Sequence, residues 1–380
     1  ADAPLMDAGL DSLGATELRA ALEKATPGGL VLPATLVFEA PTVRQITSYV
    51  SGGSTATAES TVQLPTLGGT STAQNVVLSG MTLCLPMGVD GASACHLSAA
   101  GVNIVTTVPS ARWDSTNDAV VTDANLPGAM LACVRHGAFL SGVELFDHGF
   151  FSTSAAEVSV MDPQQRLLLE GSYSAFHDAS FTKAKLLGTC TGVFVGLDYT
   201  DFQHYVARTA HLRESVHAAT GANVAVAAGR TSFVLGLHGP NMVTDTSCSS
   251  GLVAASVGHD ALVMGSCRVA LASGVFLMLM ASGHIAQARA GMLSRAGRCF
   301  TFDKRADGFM KGEACGGVVL QPVVKSKIVL ASRAVKQDGR SASLTAPNGR
   351  AQQSLIEEAL RIGGLTAERV SVVEAHGTGT

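Results

Sequence analysis

The sequence of 380 residues has little charge and no long apolar run, and both absences narrow its function. Charged residues make up 15% of the chain and the net charge is only -4, so no nucleic-acid-binding surface is predicted. The longest uncharged apolar run, residues 269–283, is shorter than the roughly 20 residues that cross a bilayer. Residues 1–20 contain early acidic positions and no continuous apolar block. We therefore predict neither a membrane span nor a secretion signal.

Closely spaced cysteine pairs and several common enzyme motifs are also missing. The eight cysteines contain no C-x-x-C pair, so they indicate reduced thiols in the cytoplasm or another reducing compartment, a plastid included. His204, His211 and His217 are predicted to share one helix without a nearby cysteine or carboxylate, so we predict no metal site. The missing G-x-S-x-G and G-x-G-x-x-G motifs disfavour a serine hydrolase elbow and a dinucleotide-binding reductase.

A polar segment divides the chain. Residues 51–75 consist mostly of Ser, Thr, Gly and Ala, which predicts a flexible linker between a short piece, 1–50, and a long piece, 76–380. The long piece alternates apolar, β-branched runs with helical stretches of small residues. This rhythm predicts an α/β fold with a largely parallel sheet under helices on both faces. Strands are predicted in NVVLSGMTLCL, CTGVFVGLD, GPNMVTDTS, CRVALASGVFLMLM, CGGVVLQPVV, SKIVLASRAVKQ and VSVVEAH.

The short piece contains signals for two helices. Asp11 or Ser12 can cap a helix that runs from Leu13 to about Ala25, because a short polar side chain satisfies free backbone N–H groups. A second helix is predicted to begin near Pro41. With so few apolar anchors, the two helices form only part of a helical bundle.

Cys248 lies in the stretch DTSCSSG, between a predicted strand and a helix made largely of small residues. The partial positive charge of unpaired N–H groups at a helix N-terminus favours a thiolate. Small residues such as Gly251 and Ala254 let the helix lie deep in a core, and we expect this to shield a thioester on Cys248 from water. The alternative is a small buried residue, the usual state of a free cysteine, and the other seven cysteines are interpreted in that way.

His376 follows a predicted strand in VSVVEAHGTGT. A neutral imidazole at this position can donate a hydrogen bond to a thioester oxygen as negative charge develops on it. A packed or solvated structural histidine is the competing interpretation. Together, Cys248 and His376 form a candidate Cys/His pair for nucleophilic catalysis.

Two resemblances favour the catalytic interpretation. Residues 76–380 contain, in this order, MDPQQRLLLE, AAGRTSFVLGLHGPNM, DTSCSSGLVA, GMLSRAGRCFTFDKRADGFMKGE, AVKQDGRSASLTAPNGRAQQ and EAHGTGT. These blocks resemble the beta-ketoacyl synthase domain of modular polyketide synthases, a branch of the thiolase-like superfamily. Residues 1–50, with the signature GLDSL, resemble the second half of an acyl carrier domain. The resemblances imply a thiolase-like layered αβαβα fold, truncated at its C-terminal end, preceded by a partial helical acyl-carrier bundle.

The resemblance also implies roles for individual residues. Cys248 accepts the acyl chain by transthioesterification, and its backbone N–H contributes to an oxyanion hole. His376 binds the extender thioester carbonyl and stabilises the enolate that forms when carbon dioxide leaves. Thr378 and Thr380 contact the pantetheine arm of the incoming carrier. Ser12 carries a covalent 4'-phosphopantetheine cofactor at a helix N-terminus, where the helix dipole favours the phosphodiester anion.

The implied partners are acyl and malonyl-type thioesters on carrier domains, a phosphopantetheinyl transferase and a second copy of the chain in a homodimer. The implied activity is polyketide, or fatty-acid-like, chain elongation by decarboxylative Claisen condensation, an acyltransferase reaction. Because the chain stops at Thr380, before the family's lysine and second histidine, we expect this fragment to be incomplete for catalysis.

Two other functions remain open at this point. One is a non-elongating domain that only relays acyl chains, or that gates and docks them. The less favoured one is a Cys/His hydrolase, for which no acid or amide partner stands in a known motif. The charged side chains of the synthase-like blocks, Arg166, Asp303, Asp307 and Glu313, are predicted to form buried ion pairs and loop anchors rather than to act in catalysis.

Overall fold

A computed structural model of the chain describes residues 2–5, 8, 10, 12–26, 32, 36–51, 75–88, 90–115, 127–198, 200–322, 328–339, 341 and 346–379. The α-helices are α1 (Ser12–Ala25), α2 (Leu36–Glu39), α3 (Val43–Ser51), α4 (Gly91–Ala99), α5 (Gly128–Cys133), α6 (Ala155–Ser159), α7 (Pro163–Asp178), α8 (Lys183–Leu186), α9 (Phe202–Arg208), α10 (Ala210–Arg213), α11 (Ala218–Gly221), α12 (Val224–Leu235), α13 (Ser250–Val263), α14 (Ala281–Arg289) and α15 (Gly349–Gly363). The strands are β1 (Val76–Cys84), β2 (Thr106–Thr107), β3 (His136–Gly137), β4 (Thr191–Gly196), β5 (Asn241–Thr244), β6 (Val269–Phe276), β7 (Ala314–Pro322) and β8 (Val329–Leu330). Short 3-10 turns span Pro86–Gly88, Ser247–Ser249 and Ala367–Arg369.

The N-terminal piece has a small core of its own. Leu36 and Ile46 are almost fully buried, with partly buried side chains of α1 and α3 packed around them. The N–H of Leu5 donates to the carbonyl of Pro41 at 2.8 Å, which ties the start of the chain to the start of α3. The predicted helices correspond to α1 and α3, whereas α2 was not predicted. Most of the predicted linker, residues 52–74, lies outside the described residues.

The long piece is built on a six-stranded sheet in the order β5, β4, β6, β7, β1, β8. The pairs β4–β5 and β4–β6 are parallel, and the pairs β6–β7, β7–β1 and β1–β8 are antiparallel. The sheet is therefore mixed, and the prediction of a largely parallel sheet is wrong. Side chains alternate between the two faces in either strand direction, so the apolar pattern predicts strands without predicting their orientation.

Helices cover both faces of the sheet. Residues Val193 and Val195 of β4 pack with α7 and α12 in one buried cluster. Phe194, between them, packs with Ala254 and Leu262 of α13 in another. Because successive strand residues point to opposite faces, α13 lies on the face opposite to α7 and α12. This layering explains why every residue of β4 is buried, and it confirms the predicted α/β class.

Three local predictions are wrong. SKIVLASRAVKQ contains only the two-residue strand β8, and within the described part of the chain VSVVEAH pairs with no strand. Val372 and Val373 are exposed there, and apolar alternation stabilises a strand only beside a partner. His204, His211 and His217 do not share a helix, because Thr209 is extended and ends α9.

No helix in the described ranges combines the length and the apolar character that spanning a bilayer requires.

Candidate active site

Cys248 lies in a strand-turn-helix joint, as its sequence context predicts. It occupies the 3-10 turn Ser247–Ser249, between β5 and α13. Ser247 adopts φ 56°, a left-handed conformation that costs a residue with a side chain roughly 1–2 kcal/mol. Hydrogen bonds hold this turn: the N–H of Ser247 donates to Asp245 Oδ1 at 2.9 Å, and the hydroxyl of Ser250 donates to the Ser247 carbonyl at 2.6 Å. The sulfur is therefore presented from a braced turn.

The first turn of α13 lies very close to the sheet. A Cβ added to Gly196, at the end of β4, would stand 2.4 Å from the carbonyl carbon of Ser250. On β6, a Cβ added to Gly274 would stand 3.5 Å from the Cα of Gly251. Further along the helix, Ala254 is completely buried. The prediction that small residues let this helix lie deep in the core is confirmed.

The prediction that Cys248 is shielded from water is wrong for this structure, because Cys248 and His376 are both exposed. The small residues bury the helix itself, whereas Cys248 lies in the turn before it. That turn faces an open cavity of about 560 Å³. We name this space the active-site cavity.

Loop contacts bring His376 to the same cavity from the far end of the chain. The hydroxyl of Thr301 donates to the carbonyl of Gly377, and the N–H of Gly308 donates to the carbonyl of Gly379 at 3.3 Å. Gly377 and Gly379 have φ values of 59° and 76°, which glycine adopts without steric cost. The Gly/Thr loop therefore turns against residues 299–308 and carries His376 and Thr378 to the cavity wall.

Cys248, His376 and Thr378 all line the active-site cavity, so the structure brings together three of the five site residues predicted from the sequence. Thr380 lies outside the described residues. A thiol and an imidazole at one cavity can divide nucleophilic attack and oxyanion stabilisation between them.

Ser12 is the first residue of α1 in the N-terminal piece, and its side chain lies outside the described residues. The first turn of α1 carries no acidic residue. The dipole at this end of the helix therefore suits a phosphodiester anion, and this end of α1 fits the attachment of 4'-phosphopantetheine.

Sequence reasoning missed three residues of the active-site cavity. Phe276, Gln287 and Lys311 line it together with Cys248. Lys311 stands in FMKGE, where a single cation between apolar and small residues was a usable signal. The sequence analysis predicts an anchor in this block, Glu313, and gives Lys311 no role.

The predicted scaffold role of Glu313 is confirmed. Its carboxylate is buried and accepts hydrogen bonds from the N–H groups of Leu140 at 2.7 Å and Met278 at 2.8 Å. It also pairs with the guanidinium of Arg112 at 3.1 Å. The other three predicted anchors also have partners: Arg166 donates to the Glu144 carbonyl, Asp303 pairs with Arg305, and Asp307 accepts from the Arg295 N–H. The prediction of buried ion pairs is wrong for Asp303, whose pair with Arg305 is solvent-accessible, and for Asp307, which is exposed.

Three protein-family models match this chain. The family model described as "Beta-ketoacyl synthase, N-terminal domain" matches residues 73–325. The model for the C-terminal domain of that family matches residues 328–380. A third, described as "Phosphopantetheine attachment site", matches residues 1–50.

Similar proteins come from large bacterial synthases. A polyketide synthase from Streptomyces halstedii is 40% identical over 98% of this chain, which covers 7% of that protein. A pikromycin polyketide synthase component from Streptomyces venezuelae is 39% identical over 98% of this chain, which covers 10% of that protein. The chain thus spans a tenth or less of these relatives.

Solved ketosynthase structures show the same fold. A ketosynthase from module 6 of the bacillaene synthase of Bacillus subtilis 168 matches with a TM-score of 0.71 and 30% identity, over 80% of this chain and 51% of its own. An oxazolomycin ketosynthase domain from Streptomyces albus JA3453 matches with a TM-score of 0.73 and 34% identity, over 80% of this chain and 54% of its own. With a family model spanning most of its length and a braced cysteine turn at one cavity, the chain belongs to the beta-ketoacyl synthase family and carries a phosphopantetheine attachment site.

Proposed function

We propose that the polypeptide that carries this chain elongates acyl chains of the polyketide or fatty-acid type by acyl transfer to Cys248 and decarboxylative condensation with a malonyl-type extender. The observation that carries the proposal is the shared cavity of Cys248, His376 and Thr378. Its volume of about 560 Å³ lies within the usual range for a small-molecule site, roughly 300–1,000 Å³.

The first half-reaction is acyl transfer to the thiol. The Cys248 thiolate attacks the carbonyl carbon of an acyl thioester, and the backbone N–H of Cys248 stabilises the oxyanion. The new carbon–sulfur bond forms as the old one breaks, and the departing thiol takes the proton that Cys248 gave up. The braced turn favours this step because the attacking sulfur needs little reorganisation.

The second half-reaction makes a carbon–carbon bond. When the malonyl-type extender loses carbon dioxide, the electron pair of the broken bond passes into an enolate. His376 donates a hydrogen bond to the enolate oxygen, and Thr378 and Thr380 orient the incoming thioester. The enolate carbon attacks the thioester carbon on Cys248, whose sulfur leaves as the thiolate. The charge of the lost carboxylate thus returns to Cys248 without an external base.

We further infer that residues 1–50 form a carrier domain, 51–75 a linker and 76–380 the synthase domain. The bounds of the matching family models and the run of small polar residues in 51–75 support this division. Ser12, at the N-terminus of α1, is the proposed attachment residue. A phosphopantetheinyl transferase supplies the cofactor, which gives the carrier a terminal thiol for holding acyl groups.

A homodimer and a reducing compartment complete the proposal. Family membership supports the dimer, which light scattering on the purified protein tests directly. All eight cysteines are free, which supports a reducing environment. Localisation of a tagged chain to an oxidising compartment is the result that contradicts it.

The test of elongation uses the polypeptide that carries this chain, incubated with an acyl thioester and a malonyl-loaded carrier. We expect an acyl group on the peptide that contains Cys248 and a chain-extended product, both absent in Cys248→Ala. Cys95→Ala is the matched control, because Cys95 is an exposed cysteine of α4 that does not line the active-site cavity.

Other outcomes overturn elongation in distinct ways. An acyl group on Cys248 that passes to a carrier without extension indicates a relay domain. Release of free acid that depends on Cys248 indicates a hydrolase.

If His376→Ala acylates normally but does not condense, the imidazole acts in the second half-reaction, as proposed.

A further inference from the structure

A second cavity adjoins the active-site cavity. This inner cavity, of about 380 Å³, extends to His284 of α14 and shares four lining residues with the active-site cavity: Asp198, Phe276, Gln287 and Lys311. Because the two cavities share these lining residues, they are adjacent. An acyl chain on Cys248 that passes Lys311 enters the inner cavity with the end remote from the thioester.

Lys311 stands at the junction of the two cavities. Its ammonium lies 4.9 Å from the ring centroid of Phe276, and it makes no hydrogen bond or ion pair with any residue that the structure describes. Burial lowers the pKa of Lys311, while the charges of Asp201 and Asp198 act in the opposite direction. An ammonium that lies near an aromatic face and makes no hydrogen bond can donate one to a ligand.

Two other polar atoms at the inner cavity also lack partners. Within the described ranges, Gln287 Oε1 and His284 Nε2 are buried and make no hydrogen bond. The His284 side chain is only 1% exposed, and burial lowers its pKa to about 4, so the imidazole is neutral at neutral pH. Buried polar groups without partners cost free energy, and a ligand that pairs with them recovers it.

The neighbouring carboxylate of Asp201 is occupied elsewhere. It accepts the N–H groups of Leu279 at 3.0 Å and Met280 at 3.1 Å, where the chain leaves β6. Those contacts hold Asp201 to the backbone, while its charge disfavours an anionic ligand in the same cavity. A neutral ligand with both an acceptor and a donor suits the site best.

We propose that Lys311 and Gln287 select acyl chains that carry a hydroxyl group away from the thioester. The hydroxyl oxygen accepts a hydrogen bond from the Lys311 ammonium, and its hydrogen is donated to Gln287 Oε1 once rotation of the buried side-chain amide turns this atom to the cavity. A keto oxygen satisfies Lys311 only, and an alkyl chain satisfies neither. Sites built around such pairs reject the analogue without the polar group, since their own atoms are then left unpaired. This inference rests on the proposed acylation of Cys248.

The test compares initial rates of Cys248 acylation for hydroxyacyl thioesters and for alkyl thioesters of equal length, with the hydroxyl moved stepwise along the chain. We expect the wild-type polypeptide to prefer one hydroxyacyl isomer by about tenfold or more, the effect of a hydrogen bond to a charged group. Lys311→Met should remove the preference and Lys311→Arg should retain much of it. Lys304→Met is the matched control, because Lys304 is exposed and lines neither cavity.

The possible failures are separable. If every thioester acylates Cys248 at a similar rate, or if Lys311→Met keeps the hydroxyl preference, the selectivity inference is wrong and the proposed function stands. If no thioester acylates Cys248, the proposed function fails and the inference fails with it. Should Lys311→Met not fold, as circular dichroism would show, Gln287→Met decides, since it removes the acceptor and keeps the side-chain length.

Discussion

Glu313→Gln should destabilise the synthase part of this chain far more than its small change in shape suggests. The Glu313 carboxylate, 2% exposed, accepts two backbone N–H groups and the Arg112 guanidinium. All three partners are donors. A glutamine amide has one acceptor oxygen and one NH2 group, so the NH2 must face at least one of these donors.

The magnitude follows from what the substitution leaves behind. Removing one partner of a buried ion pair costs about 3–5 kcal/mol, because the remaining charge is uncompensated. The Arg112 side chain is only 11% exposed, so water replaces little of the lost interaction. At about 2–4 °C per kcal/mol for a large domain, the unfolding midpoint should fall by roughly 6–20 °C.

Thermal unfolding followed by circular dichroism, together with urea titration, measures the effect. Glu357→Gln is the matched control: Glu357 is exposed on α15 and its carboxylate accepts a hydrogen bond from Gln353, so its replacement should cost less than about 0.5 kcal/mol. If Glu313→Gln and Glu357→Gln unfold within about 1 kcal/mol of each other, neutral hydrogen bonds suffice at this site and the argument from buried charge is refuted.

Two further predictions concern the close approach of α13 and the cofactor. Gly196→Ala places a Cβ 2.4 Å from the Ser250 backbone, so it should cost about 1–3 kcal/mol and slow acylation of Cys248, as stopped-flow acylation measures. Gly229→Ala, in α12 with no atom within 4 Å of the added Cβ, should stabilise by about 0.5–1 kcal/mol, and equal behaviour of the two variants contradicts the packing argument. Ser12→Ala should abolish the mass gain of one phosphopantetheine after incubation with a transferase and coenzyme A, whereas Ser48→Ala, on the exposed side of α3, should keep it. A mass gain that persists in Ser12→Ala assigns the cofactor to another residue.

The parts predicted best from the sequence are those where one physical rule dominates. Buried strands such as β4 and β6 are visible as apolar runs because burial on both faces demands them. Cys248 was placed correctly between a strand and a helix, because polar residues end β5 and small residues begin α13. His376 is a candidate from its place after a predicted strand, and the motif resemblance favours its catalytic interpretation over a packed or solvated structural histidine.

The parts predicted poorly depend on partners far away in the chain. Strand direction is set by the connections between strands, so the antiparallel pairing of β6 with β7 leaves no mark in either sequence. VSVVEAH has the composition of a strand, yet Val372 and Val373 are exposed in a segment without a paired strand among the described residues. Composition indicates which secondary structure a segment can form, and contacts with neighbouring segments determine which one it does form.

Lys311 shows why a scaffold interpretation of a motif can be correct and still miss a site. Lys311 and Glu313 are two residues apart in the chain. Lys311 lies over Phe276, the last residue of β6, and Glu313 contacts Met278, two residues further on. Glu313 is bound to the Met278 N–H, and this bond fixes the local register of the two segments. The Lys311 carbonyl accepts the Ala138 N–H at 3.0 Å, so the backbone beside this anchor is held as well, and within the described residues the ammonium lies over Phe276 at the cavity junction without a hydrogen bond. The segment from Lys311 to Glu313 therefore combines an anchor with a proposed selectivity residue. The buried Glu313 carboxylate needs hydrogen-bond donors within the protein, whereas the half-buried Lys311 ammonium at the cavity can donate to an acceptor on the substrate.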